Sequence, residues 1–377
     1  MHDFFDSRHF TRRQFGGMAA LLAAGSALPF YNESALAQDL KALWNFPPDT
    51  IRLNANENPM GPCPAAIEAM RNIVPDGGRY LFDQTNAFIE AMAEVEGVPA
   101  TYVLPGAGSS DLLHRCVMAF TSPTRPLVIA DPGFEAPSGA ARFMGAKVIA
   151  IPLQKDYSHD TKAMAGADPD TGLIYVCNPN NPTGTVTGKE DIDYIVVNKP
   201  KGCVVLIDEA YIHFAASATS AVPHVAAGKD VIVMRTFSKL YGMAGLRAGA
   251  AIARPELLDK LRKYGGLPIM PATAMAGATA SLKEKTLVAT RRKLLTDIRE
   301  DLFAWLEKRK YAFIRSEANM VLIDGKRPGR ETAAAMLEHK VAIGRSWPSM
   351  PNHVRVTIGT RDEMAKFEIA FERVMEA

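Results

Sequence analysis

The chain has 377 residues, 43 Lys plus Arg against 41 Asp plus Glu, a formal charge of +2, and 47% hydrophobic residues. That near-neutral balance removes the electrostatic case for a nucleic-acid partner. Four scattered cysteines (Cys63, Cys116, Cys177 and Cys203) with no CxxC pair make neither a disulfide scaffold nor a zinc site.

In chain order, the first segment reads as an address. Thr-Arg-Arg-Gln-Phe-Gly-Gly at 11–17 precedes an apolar, Ala-rich run from Met18 to Leu28. Ala35-Leu36-Ala37 then offers a small-x-small cleavage pattern before Gln38. Arg12-Arg13 followed by Phe15 resembles the twin-arginine export signal of bacteria. Residues 1–37 are therefore expected to be a removable leader, handled by the twin-arginine export machinery, with a periplasmic destination. The apolar run is too short for a stable membrane anchor. The mature chain keeps 340 residues and a charge of +2.

From about 100 to 255, apolar β-rich runs alternate with helix-length segments. Strands are expected at Tyr102–Leu104, Pro126–Ala130, Lys147–Ile151, Leu173–Cys177, Cys203–Ile207, Val231–Met234 and Ala248–Ala253. Continuous apolar runs separated by helices imply a mainly parallel, seven-stranded α/β sheet covered on both faces. After about 275 the pattern changes. One long charged helix over about Lys283–Arg309 is followed by short strands at 311–315, 319–323 and 353–358. Helices around 329–340 and 361–375 complete an α+β unit. Arg291-Arg292-Lys293 reads as a solvated helix face.

Chemistry-bearing residues stand where the strands end. Leu173–Cys177 runs into Asn178-Pro179-Asn180-Asn181-Pro182-Thr183-Gly184, a turn stiffened by proline. Cys177, beside that turn, reads as core rather than reactive. Cys203–Ile207 runs into Asp208-Glu209-Ala210-Tyr211, and an acid at a buried strand end is costly unless it meets a cation. Val231–Met234 runs into Thr236-Phe237-Ser238-Lys239 and then Tyr241 through Arg247. A desolvated lysine there has a lowered pKa and a nucleophilic amine.

These segments, in this order and spacing, resemble the fold-type I pyridoxal-phosphate (PLP) aminotransferases, histidinol-phosphate aminotransferases above all. The resemblance runs from Leu53-Asn54-Ala55-Asn56-Glu57-Asn58-Pro59 to Arg355-Val356-Thr357-Ile358-Gly359. It implies a large PLP-binding domain over 66–274 and a small α+β domain from 38–65 and 275–377. It implies that Lys239 forms a Schiff base with the cofactor and then moves the substrate proton. Asp208 is implied to pair with the pyridine nitrogen, and Asn181 and Tyr211 to donate to the ring oxygen. Gly108, Ser109, Ser110, Ser238 and Arg247 are implied around the phosphate; the relatives commonly have Gly-Ala-Asp where this chain has Gly108-Ser109-Ser110. Phe134 would stack on the ring. Tyr80 would reach the phosphate of a second subunit, which makes the working unit a homodimer.

Arg355 would hold the substrate's anionic group. Arg345 and Asn56 are implied as further substrate contacts, with Glu57 at the mouth of the site. The partners implied are a small-molecule amino donor and a 2-oxo acid acceptor. The same motifs occur in a PLP decarboxylase of the threonine-phosphate type, and a protein that keeps only PLP binding is the non-catalytic alternative. An export leader also fits poorly with a step of cytoplasmic biosynthesis, which brings amino acids into consideration as donors beside histidinol phosphate.

Overall fold

A computed structural model describes residues 46–266 and 270–376. The leader at 1–37 and residues 38–45 of the expected small domain lie outside the described residues. Residues 46–377 cluster as one compact unit. No described helix is long and apolar enough to cross a membrane.

The unit opens with strand β1 (Ile51–Leu53) and helices α1 (Pro64–Ile73) and α2 (Phe82–Glu96). A seven-stranded sheet follows: β2 (Val103–Gly106), β3 (Leu127–Asp131), β4 (Val148–Pro152), β5 (Leu173–Cys177), β6 (Val204–Asp208), β7 (Val231–Thr236) and β8 (Gly249–Ile252). Its order is β2-β8-β7-β6-β5-β3-β4. β8 runs antiparallel to both neighbours; the other pairings are parallel. Six helices stand between or after these strands: α3 (Ser109–Phe120), α4 (Ala136–Phe143), α5 (Thr161–Ala165), α6 (Lys189–Asn198), α7 (Val222–Ala226) and α8 (Pro255–Arg262). All seven expected strands are present, within two residues of the expected bounds.

Alternation along each strand divides the core in two. Leu173, Tyr175 and Cys177 of β5 join Val204 and Leu206 of β6 and Ile232 and Met234 of β7 in one cluster. Ile174, Val176, Val205, Ile207, Val231 and Val233 join the cluster on the opposite face. Each such fully buried aliphatic side chain contributes about 1.5–3 kcal/mol relative to exposure. β5 and β6 are buried at every position, so their sequences show no polar alternation.

The C-terminal third holds α9 (Ala272–Lys283), α10 (Leu287–Lys308), β9 (Phe313–Ile314), β10 (Met320–Asp324), α11 (Gly329–Glu338), β11 (Val341–Ile343), β12 (His353–Thr357) and α12 (Arg361–Glu376). β12-β10-β9 is an antiparallel sheet, while β11 pairs in parallel with β1. Two expectations need correction. The long helix begins at Leu287, not Lys283, because Glu284 accepts hydrogen bonds from the Thr286 amide and hydroxyl and closes a turn there. Arg291-Arg292-Lys293 is not a solvated face. Arg291 is buried and donates to the carbonyls of Leu240 (2.9 Å) and Gly61 (2.7 Å), and Arg292 donates to that of His213 (2.7 Å). These loop carbonyls lie where a long guanidinium arm reaches them; Lys293 alone is exposed, paired with Asp297 at 2.7 Å.

Candidate active site

The parallel strands bring their C-terminal ends to one edge, which is where such sheets place ligands. β6 ends in Asp208, 4% exposed. Its Oδ2 accepts from the Tyr175 hydroxyl at 2.8 Å, and its Oδ1 from the Ala210 amide at 3.1 Å. Burial raises the Asp208 pKa, opposed by those two hydrogen bonds and by the charge of Lys239. A buried carboxylate so placed gains most from a cationic partner.

Lys239 follows β7 on the loop that leads into β8. Its Nζ donates to the Ala55 carbonyl at 3.2 Å and lies 5.7 Å from the centre of the Tyr211 ring. Its pKa falls to about 8, chiefly through burial and then through the charge of Arg355. The side chain as a whole is half-buried, while its amine lies deep in the site. Tyr211 is 3% exposed, and its hydroxyl accepts from Asn56 Nδ2 at 3.0 Å. Burial pushes its phenol above the ordinary range. Asn56 has a left-handed backbone (φ 53°), which asparagine tolerates well, and its amide is fixed by Thr357 Oγ1 at 2.9 Å.

A cradle for an anion stands beside these groups. Gly108 (φ 82°) precedes α3, whose first residues, Ser109 and Ser110, have no side-chain cap. A Cβ on Gly108 would lie 2.2 Å from Arg247 Nη2, and one on Gly249 would lie 2.6 Å from the Ser109 amide. Arg247 donates to Ser238 Oγ at 3.3 Å and to the Ala244 carbonyl at 3.0 Å. A helix N-terminus, small residues and a guanidinium are the donor set a phosphate ester requires. The residues present therefore fit PLP at both ends: an acid and a low-pKa amine for the ring, a cradle for the phosphate.

Arg355 on β12 is 8% exposed and donates to Asn181 Oδ1 and to the Asn54 carbonyl, both at 2.8 Å. Asn181 thus joins the NPNNPTG turn to Arg355 of β12. Phe134 is half-buried in the loop after β3. That loop is pinned by Asn180 on the Pro132 carbonyl (3.2 Å), Trp347 on the Gly133 carbonyl (3.1 Å) and Ser349 on Asp131 (2.8 Å). Arg345 forms a two-pronged pair with Glu135. Tyr80 lies apart, 70% exposed, its ring 6.0 Å from that of Phe82. Asn319 Nδ2 donates to the carbonyls of Asn56 and Glu57 and holds that segment.

Three participants were not singled out from the sequence. Tyr175 supports Asp208; the one signal was a polar-tipped residue inside the apolar β5 run. Glu135 and Trp347 hold the arginine region through contacts of more than 200 residues' separation, for which local spacing carries no signal. Cys177 is buried, its Sγ against the Pro179 carbonyl at 3.3 Å, and burial pushes its thiol up, which agrees with a core role.

The chain matches the family model for class I and II aminotransferases over residues 48–370. It is 33% identical to the histidinol-phosphate aminotransferase of Moorella thermoacetica, over 87% of this chain and 86% of that one. It is equally identical to that of Symbiobacterium thermophilum, over 87% and 91%. The crystal structure of the Sinorhizobium meliloti histidinol-phosphate aminotransferase with pyridoxal-5'-phosphate shares the fold, with TM-score 0.81, 23% identity and coverage of 86% and 91%. Thermus thermophilus aspartate aminotransferase with maleate does so at TM-score 0.77, 21% identity and coverage of 90% and 95%. With the motif residues gathered at one sheet edge and a family match over nearly all the described chain, the protein belongs to the class I and II aminotransferases and is a PLP-dependent enzyme.

Proposed function

We propose that this aminotransferase takes its amino group from a donor with one anionic group, held by Arg355, and passes it to a 2-oxo acid. The observation that carries this is the Arg355 guanidinium, nearly buried, oriented by Asn181 and Asn54, and close enough to Lys239 to lower its pKa. The names of the relatives favour histidinol phosphate, whose anion is a phosphate. The leader-like segment at 11–37 favours an amino acid, whose anion is the carboxylate. A planar guanidinium suits either.

PLP, when bound, supplies the electron sink for the bonds at the substrate Cα. The chain's residues do the rest. Asp208 would hold the ring nitrogen in its cationic form, and Tyr211 and Asn181 would donate to the ring oxygen. Arg247, Ser238, Ser109 and Ser110 would hold the phosphate. Lys239, with an amine neutral above about pH 8, would take the proton from the substrate Cα and deliver it, across the intervening nitrogen, to the cofactor carbon.

A panel of donors with 2-oxoglutarate and pyruvate as acceptors tests this reading. Amino transfer from histidinol phosphate or a monocarboxylic amino acid, lost in Arg355→Gln, is expected. Release of carbon dioxide without oxo acid would overturn it in favour of the lyase alternative, which the relatives do not favour.

Two further proposals accompany this one. Exposed Tyr80 supports a homodimer with shared sites. A Lys239→Ala chain mixed with a Tyr80→Ala chain then regains activity that neither has alone; no regain would refute sharing. The leader supports twin-arginine export to the periplasm. Equal periplasmic yield from the native leader and from an Arg12→Lys, Arg13→Lys variant would refute it.

A further inference from the structure

Asn56 is 1% exposed, and both polar atoms of its side chain are engaged. Its Nδ2 donates to the Tyr211 hydroxyl at 3.0 Å and to Met320 Sδ at 2.6 Å. Its Oδ1 accepts from the Thr357 hydroxyl at 3.3 Å, and that hydroxyl accepts from the Asn56 backbone N–H at 2.9 Å. These neighbours decide which way the side-chain amide faces. A thioether accepts and cannot donate, so the NH2 end belongs on the Met320 side. The one hydrogen of the Thr357 hydroxyl holds the oxygen end on the other. The backbone is held too: the Asn56 carbonyl accepts from Asn319 Nδ2 at 3.2 Å. Tyr211 therefore meets a donor, and a phenol oxygen that accepts has its own hydrogen to give elsewhere. Burial raises the Tyr211 pKa, while the charge of Arg355 and the Asn56 hydrogen bond oppose that rise and make the phenol a better donor.

We propose that Asn56, oriented by Thr357, is a positioning residue for the cofactor: it turns the Tyr211 hydrogen toward the ring oxygen and strengthens that donation. The inference rests on the reading of Tyr211 as a donor to the ring oxygen. Asn56 acts through Tyr211 and has no need to touch the substrate. With its amide reversed, the Asn56 oxygen would compete with the ring oxygen for the same hydrogen. Thr357 lies two residues after Arg355, and residues two apart on a strand share a face. One face of β12 thus carries both Arg355 and the hydroxyl that fixes Asn56.

The test reads the pH midpoint of the visible absorbance of the PLP-loaded enzyme. A donor to the ring oxygen stabilises its negative charge and makes the nearby Lys239 nitrogen less basic, so losing the donor raises the midpoint. Tyr211→Phe is expected to raise it by about one to two pH units. Asn56→Leu is expected to raise it by at least about half a unit, and to add less than about 0.2 unit when Tyr211→Phe is already present. Thr357→Val raises it in the same direction, and Thr357→Ser, which keeps the hydroxyl, restores the wild-type value. Glycine takes the left-handed backbone of residue 56 without strain, so Asn56→Gly serves if the leucine chain folds poorly. A midpoint that Asn56→Leu and Asn56→Gly leave in place, or that Thr357→Val leaves in place, would overturn the proposal. So would an Asn56→Leu shift that persists in full beside Tyr211→Phe, since a merely structural role gives that result. Failure of the underlying reading looks different: Tyr211→Phe itself would then leave the midpoint unmoved.

Discussion

In its proposed role, Lys239 acts on a proton, and captures the cofactor aldehyde, only while its amine is neutral. Its pKa of about 8 lies below the ordinary 10.5 because burial, then Arg355, disfavours the ammonium. At pH 7 about one amine in ten is therefore neutral, against roughly one in three thousand for an ordinary lysine. The rate at which the cofactor-free protein captures PLP should rise about tenfold per pH unit below 8 and level off above it. Stopped-flow absorbance from pH 6 to 10 measures this, and a rate still climbing tenfold per unit at pH 9.5 would contradict it. Arg355→Met should move the inflection upward, since the charge that lowers the amine's pKa is gone. Tyr175 offers a second test. Its hydroxyl donates to Asp208, and hydrogen bonds to charged groups are worth about 1.5–3 kcal/mol. Tyr175→Phe should weaken PLP retention by at least about tenfold, read from cofactor fluorescence; unchanged affinity would deny Tyr175 a supporting role. Lys239, Asp208, Asn181 and Tyr211 were legible because each stands in the segment that follows an apolar strand run; Arg355, in the middle of β12, was reached only through the family resemblance. Tyr175, Glu135 and Trp347 were not, because their importance comes from partners far along the chain.

A step of one residue in a strand turns the side chain to the other face of the sheet. Asp208 therefore faces the site, while Glu209 faces the opposite side with Arg235 of β7. Arg235 pairs there with Glu209 and, at 2.6 Å, with Glu96, all three nearly buried. Ser220 Oγ and the Ala221 amide also donate to Glu209, at 2.9 and 2.6 Å. This network ties together the ends of the two strands that deliver Asp208 and Lys239. Arg235→Met strands two carboxylates without their cation, and breaking a buried pair costs about 3–5 kcal/mol. Urea denaturation should show a loss of that size, largely recovered in Glu96→Gln, Glu209→Gln, Arg235→Met; a loss below about 1 kcal/mol would show that the network adds little. The sheet itself was readable to within two residues because its strands are continuous apolar runs. β1 and β11, three residues each, were not, since so short a strand contains too little pattern to register. The buried role of Arg291 was hidden for a related reason: its partners are backbone carbonyls, which any sequence supplies.

At the scale of the whole molecule, the site is closed by the two ends of the described chain. β1 pairs with β11, and Asn56 is fixed by Thr357, 301 positions later. A chain ending at Pro351 still contains Lys239, Asp208 and Arg247, yet it lacks Arg355 and Thr357. It should fail to give the absorbance of bound cofactor when mixed with PLP, and full binding by such a chain would show the large sheet to be sufficient by itself. The same pairing sets an order of events during synthesis. At about 5–20 residues per second, Thr357 leaves the ribosome roughly 15–60 s after Asn56. Through that interval the N-terminal segment lacks its β11 and β12 partners, so any leader ahead of it is displayed before the site is complete. If export follows folding, completion of β12 is the moment that separates a cargo that is ready from one that must still wait.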